Sequence, residues 1–140
     1  LVVHAKGEGF YVKWHFVTQS GVKNFTGEEA AKMTLSNPDY ATRDLFKHIA
    51  KGGSASWTLN AQIMPEADAE KYAWNIFDVT KVWPHTDYPL HTIGKMVLNK
   101  NPQNYFAEIE QVAFSPGHFV PGIEPSFDKM LQGKSFFNSW

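Results

Sequence analysis

The chain has 140 residues, a formal net charge of −1 and a pI of about 6.6, so it presents no basic surface for nucleic acid or an anionic membrane. Its 43% hydrophobic and 19% charged residues describe a folded globular chain, and no apolar run is long enough to cross a membrane. With no cysteine it has no disulfide or thiolate ligand, which fits an intracellular protein and leaves metal chemistry to His, Asp, Glu, Tyr or a cofactor.

The opening run, Leu1-Val2-Val3-His4-Ala5-Lys6, lacks the apolar core of a signal peptide. Residues 10–17 alternate: Val12, Trp14 and Phe16 face one way, Tyr11, Lys13 and His15 the other, as in a strand with one apolar face. Thr18-Gln19-Ser20-Gly21 is turn chemistry, and Val22 to Phe25 predicts a short returning strand. Thr26 and Glu29 have capping-box spacing and open a helix through Leu35. Asn37-Pro38-Asp39 predicts a second helix, with Asn37 as cap and Pro38 at its first position. Leu45, Ile49 and either Tyr40 or Phe46 form its buried stripe, and Gly52-Gly53 ends it.

Residues 56–64 carry a clear strand pattern, with Trp57, Leu59, Ala61 and Ile63 alternating with Thr58, Asn60 and Gln62. The two amides predict that their face meets solvent or a polar cofactor. A polar excursion follows over 65–74. Phe77 to His85 begins like a strand and breaks at Pro84 into a structured loop. Residues 91–99 read as another strand, and Phe106 to Phe114 fits strand or helix equally. From Ser115 the three prolines Pro116, Pro121 and Pro125 set an extended, ordered arm that keeps Phe119, Ile123 and Phe127. The coarse class is α+β with a mostly antiparallel sheet, closable as a barrel.

Eleven Phe and five Trp call for large apolar neighbours, a cofactor pocket or a subunit interface. Six His residues show no HxxxH metal spacing, and there is no GxGxxG fingerprint. Glu28-Glu29 reads as helix capping. Glu66-Ala67-Asp68 and Glu108-Ile109-Glu110 read as solvated faces. Lys47, His48 and Lys51 favour a helix C-terminus.

Four runs carry a family resemblance: Val2-Val3-His4-Ala5-Lys6-Gly7; Asp78 to His85 with Asp87-Tyr88-Pro89-Leu90; Gly94 to Asn99 with Asn101-Pro102 and Asn104 to Glu108; and Pro121 to Ser126 with Asp128 to Gly133. In this order they resemble the monofunctional heme catalases, of small-subunit and fungal type, over almost the whole chain. There are departures. The family has a long segment between the histidine run and the strand that here begins at Tyr11, whereas Gly9-Phe10 leads straight into it. Leu1 stands where an Arg precedes Val-Val-His. Lys134 falls where an Arg is expected, Asn138 falls at the iron-binding Tyr, and the C-terminal helical region is missing. The chain therefore reads as a shortened or partial catalase.

The resemblance implies the antiparallel β-barrel core of the catalase fold, with short helices and an extended C-terminal arm. Residues 1–140 would be one partial core domain, a distal-histidine segment 1–9 joined to barrel strands and wrapping arm 10–140. It implies heme-dependent disproportionation of hydrogen peroxide to water and dioxygen, protecting against oxidative stress. His4 would be the acid–base, a role suited to a group that titrates near working pH. Heme b would be lined by Val3, Phe114, Pro116 and Met130, with Lys134 near its axial side. The family's axial ligand is a Tyr phenolate, which Asn138 cannot become. Many members also hold NADPH, whose contacts map onto His15, Val82, Trp83 and His85, while Val17 replaces a phosphate-contacting Lys. The family assembles as homotetramers in peroxisomes or cytoplasm, although Asn138-Ser139-Trp140 is not an SKL-type ending. A catalytically silent catalase-like piece with a structural or interaction role, and altered chemistry on fatty-acid hydroperoxides, are the alternatives.

Overall fold

The computed structural model describes residues 1–137. The strands β1 (Val2–Val3), β2 (Gly9–Thr18), β3 (Ala55–Pro65) and β4 (His91–Leu98) form one curled antiparallel sheet, a half-barrel in the order β1-β2-β3-β4. The helices are α1 (Gly27–Ser36), α2 (Tyr40–Ala50), α3 (Glu66–Ala69) and α4 (Lys129–Phe137), with a π-helical turn at Phe106–Glu110. The expected α+β class, antiparallel sheet and short helices are all present.

The chain divides into two compact units. The first comprises Leu1–His15, Asn60–Thr92 and the chain from Gln111 onward. Its core is Tyr11, Met64, Ile76 and Trp83, with Leu1, Ala69, Tyr72, Phe77 and Tyr88 packed around it. Alternation in β2 sends Tyr11 inward at 6% exposure and leaves Trp14 at 49%, so the face carrying most of the large apolar groups is the open one. In the arm Ile123 bridges Val2 of β1.

The amide face of β3 overturns its expectation. Asn60 and Gln62 are buried, Gln62 completely, while Ile63 on the other face is 39% exposed. Both N–H groups of Gln62 are committed, donating to the carbonyls of Trp83 at 3.0 Å and Tyr88 at 2.6 Å. Its Oε1 therefore faces His15 Nε2 at 2.8 Å, and that ring nitrogen must be the donor. The hydroxyl of Thr92 donates to Asn60 Oδ1 at 2.9 Å. An amide buried with all its bonds made costs little; one buried without them is expensive.

The strand-like start expected from Phe77 up to the break at Pro84 is a loop instead. Asn75 Oδ1 accepts from Phe77 N at 2.9 Å, and Asp78 Oδ1 accepts from the Thr80 amide at 2.9 Å and its hydroxyl at 2.7 Å. These local turns compete with strand pairing and win. They hold the Asp78 carboxyl below its usual range, through the Thr80 hydroxyl first and its amide second.

The second unit comprises Phe16–Leu59 and Ile93–Glu110. Its capping box is formed as expected: Glu29 N–H donates to Thr26 Oγ1 and Thr26 N–H to Glu29 Oε2 at 2.8 Å. Asn37 corrects the predicted cap. It closes α1, donating its N–H to the Met33 carbonyl; its Oδ1 is buried without a partner, and Asp39 stands at the start of α2. Of the predicted α2 stripe, Ile49 is buried and Leu45 half-buried, whereas Tyr40 and Phe46 are exposed. Gly52 takes φ +85°, the left-handed turn that ends α2. Residues 22–25 are not a strand, and Val22 is 76% exposed. The ambiguous 106–114 stretch opens with the π-helical turn, preceded by a cap in which Glu108 Oε1 accepts the amides of Gln103 and Asn104. Asn101 Nδ2 donates to the Phe46 carbonyl at 2.9 Å.

Two outcomes follow. Gln62→Leu strands the Trp83 and Tyr88 carbonyls and lowers unfolding stability by about 3 kcal/mol, read by urea titration; a loss under about 1 kcal/mol would show that the network is not needed. The Glu29 carboxyl is held below its usual range, first by the Thr26 backbone N–H and then by its side chain. Its cap thus stabilises α1 above the ordinary carboxylate pKa and is lost as pH falls through the lowered folded value. NMR titration of Glu29 checks the direction, and Thr26→Ala returns it upward.

Candidate functional site

His4 lies in the tight connection between β1 and β2, whose register pairs Val2 with Phe10 and Val3 with Gly9. The His4 N–H donates to the Glu8 carbonyl at 2.8 Å and the Gly7 N–H to the His4 carbonyl at 2.8 Å. Gly7 has φ +85°, a conformation that excludes most side chains. The imidazole is exposed, and its Nδ1 accepts a long bond from Lys6 N–H at 3.3 Å. That contact favours the neutral tautomer with its proton on Nε2, directed away from the turn. β1 is pinned on its other side: Val3 N–H donates to Gly122 O, the terminal ammonium to Glu124 O, and Glu124 N–H to Leu1 O, each at 2.9 Å.

The other residues expected around heme are dispersed. Val3 is half-buried in β1 and Pro116 half-buried in the arm, while Phe114 is 91% exposed. Met130 lines a cleft of about 400 Å³ with Phe77, Val79 and Phe127, and His4 and Phe114 do not border it. Lys134 is exposed in the last turn of α4, and Asn138 lies outside the described residues. Among the described residues no group of three or more His, Cys, Asp or Glu side chains could hold a metal. A heme needs a flat apolar slot and an anionic axial oxygen. These residues supply neither, so they do not by themselves fit the group.

Three of the four residues assigned to NADPH do come together. His15 and His85 pack edge to face with centroids 6.1 Å apart, and His15 shares Gln62 with the Trp83 backbone. Val82 stays outside, 73% exposed. Trp83 is 5% exposed, with Tyr88 5.8 Å away and Lys13 Nζ 5.8 Å over its ring. Lys13 is fixed there by donating to the Lys81 carbonyl at 2.9 Å. Sequence reasoning missed Lys13 and Gln62; the signal for Gln62 was a long amide in a strand that otherwise reads as core.

Among the acidic pairs, Glu28 forms an ion pair with Lys32 at 2.7 Å, and Glu108 caps its own turn. Glu66 is exposed, as a solvated face requires, and also borders a cavity beside β2. Near the end of α2, His48 Nε2 lies 3.2 Å from the Ser54 carbonyl.

Comparison with known proteins accounts for this mixture of ordered and dispersed residues. The catalase family model matches residues 1–139. Catalase-A of Dictyostelium discoideum is 61% identical over 134 residues, covering 96% of this chain and 27% of that protein. The peroxisomal catalase of Toxoplasma gondii is 58% identical with the same coverage. The crystal structure of a fungal catalase superposes with a TM-score of 0.92 at 52% identity, over 98% of this chain and 27% of the other. The chain thus spans about a quarter of the length of these relatives.

Next to this site the Tyr72 hydroxyl donates to Asp87 Oδ2 at 2.8 Å. Desolvation first, then that bond and the Asp87 charge, push its phenol up to about 12. The fold therefore favours the protonated phenol, a contribution present below the ordinary tyrosine pKa and lost as pH rises through about 12. Ultraviolet titration of the phenolates shows the last-titrating tyrosine disappearing in Tyr72→Phe; an unchanged curve refutes the assignment.

Proposed function

Because the chain belongs to the catalase family, we propose that the protein it builds is a catalase, converting hydrogen peroxide to water and dioxygen and protecting against oxidative stress. The observation that carries this is the match of the catalase family model to residues 1–139, which include the run bearing His4. In this reading residues 1–140 are part of one core domain. Heme b is the redox group, held in the whole protein with Val3, Phe114, Pro116, Met130 and Lys134 among its neighbours. A larger share of the relatives' length than is covered here supports assigning the axial ligand to further chain. NADPH is the proposed second cofactor, at His15, Val82, Trp83 and His85. The assembly is a homotetramer, and the compartment peroxisomal or cytoplasmic. A relative named as peroxisomal supports the first compartment.

The proposed chemistry of this chain's own residues is proton transfer. His4 takes a proton from one oxygen of peroxide and returns it to the other, which allows water to leave. The accepting atom must be a free ring nitrogen. With Nδ1 occupied by the Lys6 amide in the neutral tautomer, the imidazole has to exchange that weak 3.3 Å contact before Nε2 can accept. The tight β1–β2 connection limits backbone motion while leaving the ring free to turn.

Oxygen evolution from peroxide tests the reading. The protein shows a Soret band and evolves oxygen, and His4→Ala lowers kcat by about 100-fold or more while the band remains. Heme-loaded protein that evolves no oxygen, or full activity in His4→Ala, overturns it in favour of a structural or interaction role.

A further inference from the structure

A cavity of about 1140 Å³ in the first unit serves neither of the cofactor sets above. Aromatic rings make up much of its wall: Phe10, Tyr11, Tyr72, Trp74, Phe77 and Phe127. Three carboxylates, Glu8, Glu66 and Glu70, complete it, and no Lys, Arg or His lines it. The ion pair found among the described residues, Glu28–Lys32, lies elsewhere, so none of the three is neutralised by one.

One further observation is independent of that charge. Trp74 Nε1 is buried and has no partner among the described residues. A buried donor without an acceptor is rare in folded proteins and calls for a ligand or water. Glu66 is also set in place by backbone: its carboxylate lies directly against Gly9, where any side chain would collide with it. Burial raises the Tyr11 phenol above its ordinary pKa, and the charges of Glu66 and Glu70 add to the rise, which puts both carboxylates in electrostatic reach of this hydroxyl.

Among the described residues no three carboxylates converge closely enough to hold a metal ion. Negative charge is spread over a wide aromatic surface, which suits a diffuse charge on a large apolar body. We propose that this cavity binds an organic cation, a quaternary ammonium or protonated aromatic amine, between the aromatic rings and Glu8, Glu66 and Glu70. The ring faces attract the charge through their quadrupoles, and the carboxylates neutralise it. This does not rest on the peroxide chemistry.

Titration of the full chain with benzyltrimethylammonium, followed by calorimetry and tryptophan fluorescence, tests it against two further probes on the same benzyl group. These are neopentylbenzene, its uncharged carbon isostere, and phenylacetate, its anionic counterpart. The cation binds saturably, about tenfold or more tighter than the isostere, and phenylacetate does not bind. The Glu66→Gln, Glu70→Gln double variant, with a native circular dichroism spectrum, weakens the cation by about tenfold and leaves the isostere unchanged. Should the double variant misfold, added salt on the unaltered chain makes the same distinction by weakening the cation alone. No saturable binding, equal affinity for the isostere, or indifference to both the variant and salt overturns the proposal.

Discussion

The organisation of the first unit depends on one buried side-chain amide. Gln62 has no exposed surface and makes hydrogen bonds to three partners in two segments, His15 on β2 and the carbonyls of Trp83 and Tyr88 in the loop. A loop interrupted by Pro84 and Pro89 cannot offer a continuous ladder to a neighbouring strand. Its carbonyls would be buried unsatisfied without a long donor reaching them from the sheet. Gln is suited to this because its two N–H groups diverge, while Asn at the same place would fall one methylene short. The core residues Tyr11, Met64 and Trp83 pack where this network holds the loop against the strands.

That same amide explains why part of the architecture could be read from sequence and part could not. Strand period two was visible in 10–17 and 56–64, and the capping box at Thr26–Glu29 specified a helix start to the residue. Those signals are local, and nothing distant overrode them. What alternation does not reveal is which face is covered. Two amides on one side of β3 read as a face meeting solvent or a polar cofactor because isolated polar groups avoid the interior; the partners that satisfy Gln62 lie 21 and 26 residues away and leave no mark on the local pattern. In β2 the reversal is complementary. Tyr11 and His15 point to the network, so Trp14 and Phe16 are turned to the open face at 49% and 57% exposure.

Other failures share one cause, which is short-range polar chemistry competing with regular structure. Asp78 and Asn75 each fold their own backbone into a turn where an alternating run promised a strand. Asn37 has the composition of a helix start, yet its backbone is already engaged in closing α1, and a side chain cannot cap the next helix from that position. In both places Asn or Asp was recognised as punctuation, but which of two adjacent elements it served depended on geometry.

The candidate site was legible as chemistry rather than as assembly. His4, Trp83 and His85 were marked by the company they keep in sequence, and the coordinates give each a definite setting: a tight turn for His4 and the Gln62 network for the other two. The residues expected around heme have no equivalent organiser. Phe114 at 91% exposure and Met130 at 53% share no common wall. A proton-transfer residue can be presented by five residues of turn, whereas a slot for a macrocycle needs walls from several elements at once. The relatives, about four times longer, have the chain to build such walls. The difference between a well-set histidine and a dispersed apolar lining follows from that: a turn presents its residue locally, and enclosure needs several elements at once.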